Sequence, residues 1–195
     1  LARKLANALG YAHLDTGKLY RAVGMSVVEA GENPANEEAA LRAARSLEPQ
    51  MVVNKDLLGD IAAASASKVA AIRSVRAILL AFQREFANAP PNRAKGAVLD
   101  GRDIGTVVCP DADIKLFVTA STEVRAKRRH KELLDRGEPS IYSRVLQDMK
   151  VRDKRDEGRA VAPLKPAHDA LVIDTSELDA DAVFETAMNI VSEDA

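Results

Sequence analysis

The chain has 195 residues, a length that favours one domain with at most a small lobe or mobile cap. Hydrophobic residues make up 47% and charged residues 29%, a globular composition that excludes a disordered or fibrous protein. The 28 Lys and Arg residues balance 29 Asp and Glu residues, so the chain as a whole has no electrostatic reason to coat nucleic acid. No apolar run approaches the roughly 18 residues that cross a bilayer, which excludes a membrane protein.

The single cysteine, Cys109, excludes an internal disulfide and a cysteine-based metal site. No base is evident near it in the sequence, so we expect Cys109 to pack rather than to act as a nucleophile. The histidines, His13, His130 and His168, lie far apart and lack metal-ligand spacing. We therefore predict no metal site built by the protein alone and a location in the reducing cytoplasm.

Short apolar runs alternate with helical patterns along the chain. Strands are predicted over 11–14, 97–100, 114–119 and 171–174, the last three of them buried. Helices are predicted over 1–10, 17–30, 36–47, 59–70, 74–88, 121–136, 140–156 and 179–192. This alternation indicates an α/β fold with a mostly parallel sheet and helices on both faces. Ligands of such sheets bind beyond the carboxyl ends of the strands, near Asp15, Asp100 and Asp174.

The first charged motif is LDTGKLYR at 14–21. Asp15 or Thr16 is a natural N-cap, and the helix that follows would direct free N–H groups and its positive dipole end at an anion. Arg21 lies one turn into this helix and would reinforce such a site. The alternative is a capped surface helix with one solvated arginine.

The second motif is VLDGRDIGT at 98–106, where a strand ends among glycines and charges. Arg102 has the geometry to bind a phosphate through two hydrogen bonds, and Asp103 can accept a hydrogen bond from an amino group. The alternative is a tight turn that contains an Arg–Asp pair.

The helix that begins near Ser121 is strongly basic. Arg125, Arg128 and Arg129 share one stripe of it, about 100° wide, and three guanidinium groups on one face repel unless something anionic meets them. The alternative is a solvated face of the helix.

The last motif, RDKRDEGR at 152–159, continues an apolar stripe into charges. The stripe consists of Ile141, Val145 and Met149, followed by Arg152, Asp156 and Arg159. Charges on a core-facing side are costly unless the face has entered a polar cleft, where they are paired or bound to ligand. The alternative is a helix that runs out into solvent.

Read in chain order, these motifs and a helical segment with Ser67 and Arg76 resemble the bacterial cytidylate kinases, the CMP/dCMP kinases of the nucleoside-monophosphate kinase group. The stretches DGRDIGTVV with PDA and RDEGRAVAPL are specific to that family. The resemblance implies phosphoryl transfer from ATP, with Mg²⁺, to CMP or dCMP in pyrimidine nucleotide metabolism. It also implies a P-loop kinase-like core (1–31, 89–120 and 160–195), a helical nucleotide-binding lobe (about 32–88) and an arginine-rich lid (about 121–159). We expect a monomer.

The resemblance also assigns roles to individual residues. Those expected at the CMP phosphate or its surroundings are Thr16, Arg21, Arg102 and Arg159. Those expected at the cytosine edge are Ser67, Arg76 and Asp103, and those at the ribose are Arg152 and Asp156. Arg128 and Arg129 would lie on the lid over ATP and act in catalysis together with Arg102 and Arg159. We expect all of these side chains to meet in one cleft.

The sequence departs from the family at its start. Members begin with a strand and a G-x-x-x-x-G-K-[ST] loop that cradles the ATP phosphates, whereas this sequence opens on LARKLA, which resembles the helix after that loop. We therefore expect the central first strand to be absent, its neighbours to lie about two strand spacings apart, and ATP turnover to be absent or severely reduced. Two alternatives stay open: a non-catalytic CMP-binding module, and a kinase for UMP or another nucleoside monophosphate.

Overall fold

The computed structural model describes residues 1–48, 51, 57, 59–158 and 164–193. The chain divides into two compact units, Ala2–Gly101 and Arg102–Ala195, the second of which also includes Leu1. Within the described residues, no helix is long and apolar enough to cross a membrane.

The first unit is mainly helical and contains one pair of strands. Its elements are α1 (Ala2–Leu9), β1 (Ala12–Asp15), α2 (Thr16–Glu29), α3 (Glu37–Arg45), α4 (Asp60–Val69), α5 (Arg73–Asn88) and β2 (Ala97–Asp100). Strands β1 and β2 are parallel, and their register runs from Ala12 opposite Ala97 to Asp15 opposite Asp100. The two strands therefore end side by side on acidic residues.

Helix α2 forms the centre of the hydrophobic core in this unit. Its Leu19, Val23 and Val27 are almost fully buried and pack in one cluster with Val75 and Leu79 of α5. These residues of α2 recur at intervals of four, which places them on one face of the helix. The core thus fixes α2 against α5, and the residues at the start of α2 are presented at the end of the strand pair.

The second unit contains the other pair of strands. Its elements are a single π-helical turn (Ile104–Val108), β3 (Leu116–Thr119), α6 (Thr122–Asp135), α7 (Tyr142–Glu157), β4 (Leu171–Asp174) and α8 (Ala180–Glu193). Strands β3 and β4 are also parallel, with Leu116 opposite Leu171 and Thr119 opposite Asp174. No strand ladder joins the two pairs in the described part of the chain.

The positions and types of the predicted elements are confirmed. All four strands and all eight helices occur, with their ends within a few residues of the predicted bounds. Both strand pairs are parallel, as the alternation of strands and helices indicated. The expected absence of a central first strand and the expected spacing of its neighbours both stay predictions.

The prediction of buried strands is wrong for β2, in which no residue is fully buried, and for much of the second pair. Val118 of β3 and Leu171 and Val172 of β4 are 46%, 45% and 59% exposed. Within the described residues β3 and β4 pair only with each other, so a continuous apolar run does not guarantee burial on both faces.

The prediction that the apolar stripe of α7 faces the core is also wrong at the start of the helix. Ile141 is 66% exposed because it precedes the helix as its N-cap, with an extended backbone. Val145 and Met149 are half-buried rather than buried. The stripe is therefore a partly covered helix face and not a core surface.

Candidate functional site

The carboxyl ends of β1 and β2 bring the first motif against the second. Of the two residues predicted as the N-cap of α2, Asp15 takes this position and Thr16 does not, because the carboxylate of Asp15 accepts a hydrogen bond from the backbone N–H of Lys18 at 3.2 Å. The next residue, Thr16, is buried, and its hydroxyl donates to the backbone carbonyl of Asp100 at 2.8 Å. The beginning of α2 is thereby tied to the end of β2.

The side chain of Asp100 lies among charges at this edge. Nε2 of His13, on β1, is 3.5 Å from Oδ1 of Asp100. Partial burial and then the negative charge of Asp15 raise the pKa of Asp100, while His13 acts in the opposite direction. The fold therefore keeps two carboxylates close together where a parallel sheet presents its ligand-binding end, and a nearby positive charge would stabilise them.

Three of the predicted acceptor-site residues lie on the helices of the first unit. Nη1 of Arg21, on α2, donates to the carbonyl of Leu57 at 3.2 Å. Arg76, on α5, is half-buried, and its guanidinium carbon lies 6.0 Å from the ring centroid of Tyr20, a cation–π distance. Ser67, on α4, is half-buried as well. Helices α2, α4 and α5 thus carry the arginine predicted at the phosphate and the two residues predicted at the base edge, and these roles stay predictions.

The segment after β2 forms a helical turn and not a simple tight turn. Asp103 is buried, and its carbonyl accepts hydrogen bonds from the N–H groups of Val107 and Val108 at 2.9 and 3.2 Å. Single π-helical turns of this kind often occur at functional sites. Arg102, just before the turn, and Cys109, at its end, are both half-buried. The turn therefore fixes the backbone at the two charged residues of the second motif.

The basic stripe of α6 finds partners within the protein. Arg125 donates through Nη1 and Nη2 to the two carboxylate oxygens of Asp153, at 2.9 and 2.7 Å, and through Nε to the carbonyl of Ala120 at 3.0 Å. This pairing lowers the pKa of Asp153 chiefly through the hydrogen bond from Arg125, and the charge of Arg102 contributes. The group that meets Arg125 is thus the protein's own carboxylate.

The other two arginines of the stripe differ in their contacts. Arg128 donates to the hydroxyl and carbonyl of Thr175, at 2.9 and 2.6 Å, and to the carbonyl of Leu178 at 3.1 Å. Arg129 forms an ion pair with Glu132, one turn along the same helix, at 3.1 Å. Arg128 thereby ties α6 to the segment after β4, while the ion pair of Arg129 is local to its own helix.

The charged end of α7 is described only in part. Arg152 is exposed. Asp156 belongs to α7, but its side chain lies outside the described residues, as does the whole of Arg159. The ribose and phosphate contacts expected for these residues stay predictions.

Two ion pairs, each between a basic side chain and an aspartate, were not found by sequence reasoning. Arg125–Asp153 joins residues that are 28 positions apart, and Lys115–Asp169 joins residues that are 54 positions apart. The only local signal for the second pair was a lysine inside the apolar run IKLFVT, where an unpaired charge would be costly.

Comparison with known proteins supplies the family. The sequence model of the cytidylate kinases matches residues 1–193. The chain belongs to the cytidylate kinase family. The cytidylate kinase of Paramagnetospirillum magneticum is 60% identical to this chain over 191 residues, which cover 98% of the chain and 90% of the relative. Those of Rhodospirillum rubrum and Methylocella silvestris are 55% and 53% identical over 98% of the chain, covering 90% and 87% of the relatives.

Membership of the cytidylate kinase family confirms the resemblance drawn from the motifs. The family implies the P-loop nucleoside-monophosphate kinase fold, with which the helices and small parallel strand pairs are consistent. Within the first unit, Thr16 is hydrogen-bonded to the end of β2, and the guanidinium group of Arg76 lies at a cation–π distance from Tyr20 of α2. The expectation that all the site residues share one cleft stays a prediction.

Proposed function

We propose that this chain transfers the terminal phosphoryl group of ATP to CMP or dCMP, giving ADP and CDP or dCDP. The observation that carries the proposal is the 60% identity to a cytidylate kinase over 98% of the chain. The charged motifs agree with it, because each one supplies side chains that bind phosphate, ribose or a base edge.

The chemistry requires alignment and charge stabilisation more than a strong base. The acceptor phosphate has a second pKa of about 6, so it is already mostly ionised at pH 7. The remaining difficulty is bringing two polyanions together, and an arginine at the transferring group contributes roughly 10³–10⁵ in rate. This requirement explains many arginines at local sites in a chain with a net charge of -1.

Cytosine recognition is proposed for one carboxylate, one guanidinium and one hydroxyl. Cytosine presents an amino donor beside two acceptors, so Asp103 would accept from the amino group while Arg76 and Ser67 donate to the acceptors. Uracil would place an oxygen against the carboxylate instead. A site built on such hydrogen bonds can reject the mismatched base by roughly 10⁴-fold or more.

The acceptor phosphate and the ribose are proposed to use the remaining residues of these motifs. Arg21, Arg102 and Arg159 would bind the phosphate, and Thr16, at the beginning of α2, would contribute from the helix N-terminus. Arg152 and Asp156 would contact the ribose, whose hydroxyl groups can donate to a carboxylate.

Arg128 and Arg129 are proposed to act on ATP from the lid, with Arg102 and Arg159 at the transferring phosphoryl group. Arg129 forms an ion pair with Glu132 of its own helix, which an ATP phosphate would replace. Arg128 would have to exchange the carbonyls of Thr175 and Leu178 for phosphate oxygens. Closure of such a lid excludes water that would otherwise hydrolyse ATP.

Mg²⁺ is proposed to enter with ATP. The described residues contain no group of three metal-ligating side chains, and Mg²⁺ in kinases is held by substrate phosphates with only one or two carboxylates. We further propose a monomeric, cytoplasmic enzyme.

Calorimetric titration with CMP, dCMP, UMP and AMP tests the acceptor assignment without requiring turnover. We expect CMP and dCMP to bind at least tenfold more tightly than UMP or AMP, and the absence of that preference would refute the assignment. A coupled ADP-release assay then tests phosphoryl transfer in the same chain and in one extended by any residues encoded upstream of Leu1. CMP binding without ADP release in both would identify a binding module instead.

A substitution of Asp103 tests the proposed role of this residue in recognising cytosine. Asp103→Asn replaces an acceptor by an amide and should reduce the ratio of CMP to UMP affinity at least tenfold. Asp148→Asn, at an exposed position of α7, is the matched control and should leave the ratio unchanged. An unchanged ratio in Asp103→Asn would exclude this residue from base recognition.

A further inference from the structure

Lys115 has an unusually buried side chain for a lysine. It precedes β3 directly, and its side chain is only 6% exposed. The ammonium group forms an ion pair with Asp169, whose side chain is 44% exposed. The charged end therefore approaches the surface while the four-carbon stem lies inside the unit, an arrangement that covers apolar surface without leaving a charge unpaired.

The stem of Lys115 lies against the turn that follows Asp103. A Cβ atom added to Gly105 would lie 3.2 Å from Cδ of Lys115, 3.5 Å from its Cγ and 3.5 Å from Cβ of Ala167. The backbone of the turn thus approaches the lysine stem closely at Gly105. The carbonyl of Asp103 accepts two hydrogen bonds within the same turn, so a shift of the turn moves Asp103 with it.

The opposite side of Lys115 is fixed by the strand that follows Asp169. The carbonyl of Lys115 accepts a hydrogen bond from the N–H of Leu171 at 2.8 Å, and the N–H of Ala170 donates to the carbonyl of Ala167 at 3.1 Å. The hydrogen bond from Lys115 also lowers the pKa of Asp169. One side chain thereby links the turn after Asp103, the start of β3 and the segment that leads into β4.

We propose that Lys115 is a positioning residue for Asp103. Its stem supports the turn of Gly105, and its ion pair with Asp169 holds the stem in place. Discrimination by hydrogen bonds requires groups held to within about 0.5 Å of their productive geometry, so a displaced turn weakens recognition of the base edge. The inference rests on the proposed role of Asp103 in binding cytosine.

The test compares nucleotide affinities of Lys115 variants by calorimetry. Lys115→Ala removes the support and should weaken CMP binding about tenfold and lower the ratio of CMP to UMP affinity, with ATP affinity unchanged. Lys115→Met keeps an unbranched stem without the charge and should restore most of the ratio. Lys150→Ala, which removes an exposed partner of Glu123 at 3.6 Å, is the control and should change neither affinity.

A double variant separates positioning from general destabilisation. Gly105→Ala alone should weaken CMP binding, because the new methyl group presses on the lysine stem. When Lys115→Ala is added, the methyl group gains room, and the double variant should bind CMP no more weakly than Lys115→Ala alone. Independent, additive losses would overturn the inference.

The outcome also distinguishes this inference from the proposed function. If the unaltered chain does not prefer CMP over UMP, the proposed function fails and the inference fails with it. If the unaltered chain prefers CMP and both Lys115→Ala and Gly105→Ala keep the same preference, only the positioning role is overturned. Thermal unfolding of each variant identifies any that does not fold. If Lys115→Ala does not fold, Asp169→Asn replaces it in the comparison: it leaves the ammonium group of Lys115 without its carboxylate and should lower the ratio of CMP to UMP affinity in the same direction. An unchanged ratio in Asp169→Asn would then overturn the positioning role.

Discussion

Arg125 of α6 holds Asp153 of α7 through two parallel hydrogen bonds, of 2.9 and 2.7 Å, one to each carboxylate oxygen. The hydroxyl of Thr122 donates to the same carboxylate at 3.2 Å. Such two-pronged pairs fix the direction of both side chains as well as their separation. The two helices of the predicted lid are therefore joined by a two-pronged polar contact.

Replacing Asp153 should loosen this connection. Asp153→Asn keeps the shape but removes the charge, and we expect the free energy of unfolding to fall by about 1 kcal/mol, a value reduced for the partial exposure of Arg125. Urea unfolding at pH 7 measures the change. Asp148→Asn, on an exposed position of the same helix, should stay within about 0.5 kcal/mol of the original chain; equal losses in both would contradict the prediction.

The contribution of Asp153 should depend on pH. Because the folded protein lowers the pKa of this carboxyl below its usual 3.8, the ion pair contributes fully above that value and its contribution is lost as the pH falls through the lowered pKa. The stability difference between the original chain and Asp153→Asn should therefore be constant from pH 7 to about 5 and shrink at lower pH. A difference that grows on acidification would have the wrong sign.

The close approach of α2 and α4 depends on Gly24. A Cβ atom at this position would lie 2.6 Å from Oγ of Ser65 and 2.8 Å from its backbone carbonyl carbon. Gly24→Ala should cost about 1–3 kcal/mol of stability from overpacking, which exceeds the gain of about 1 kcal/mol in helix propensity. Adding Ser65→Ala should recover only part of the loss, since the backbone contact persists. Full recovery would show that the side chain alone sets the helix spacing.

Substitutions of Thr16 test the hydrogen bond that links the start of α2 to the end of β2. Thr16→Val has a similar shape but leaves the carbonyl of Asp100 without its hydroxyl donor, so we expect a loss of about 1–3 kcal/mol. Thr16→Ser keeps the donor and should lose less. Chemical unfolding of the two variants checks the order, and a Thr16→Ser variant as unstable as Thr16→Val would assign the effect to the lost methyl group.

Substitutions of Arg128 and Arg129 should differ in their effects on stability and on ATP binding. Arg128→Met removes hydrogen bonds to the carbonyls of Thr175 and Leu178 and should lower stability by about 1–2 kcal/mol. Arg129→Met removes a partly exposed pair with Glu132 and should change stability by less than about 1 kcal/mol. If Arg129 binds ATP from the lid, its replacement should weaken ATP binding while CMP binding is unchanged. Titration with both nucleotides measures this, and equal weakening of both would exclude a role specific to ATP.

The sequence by itself determined the local elements and the family. Strand and helix positions followed from apolar periodicity, and Asp15 was recognisable as an N-cap because capping involves residues only three positions apart. The motifs DGRDIGTVV and RDEGRAVAPL were specific enough to indicate the cytidylate kinases before any comparison. All of these signals lie within short stretches of chain.

The tertiary structure alone decided which charges meet and which apolar strands stay exposed. The pairs Arg125–Asp153 and Lys115–Asp169 join distant residues, and the exposure of Leu171 depends on which strands lie beside it. The physical reason is that the energy of a charge or an apolar side chain depends on what surrounds it in space, and periodicity records only the face of its own helix or strand on which it lies.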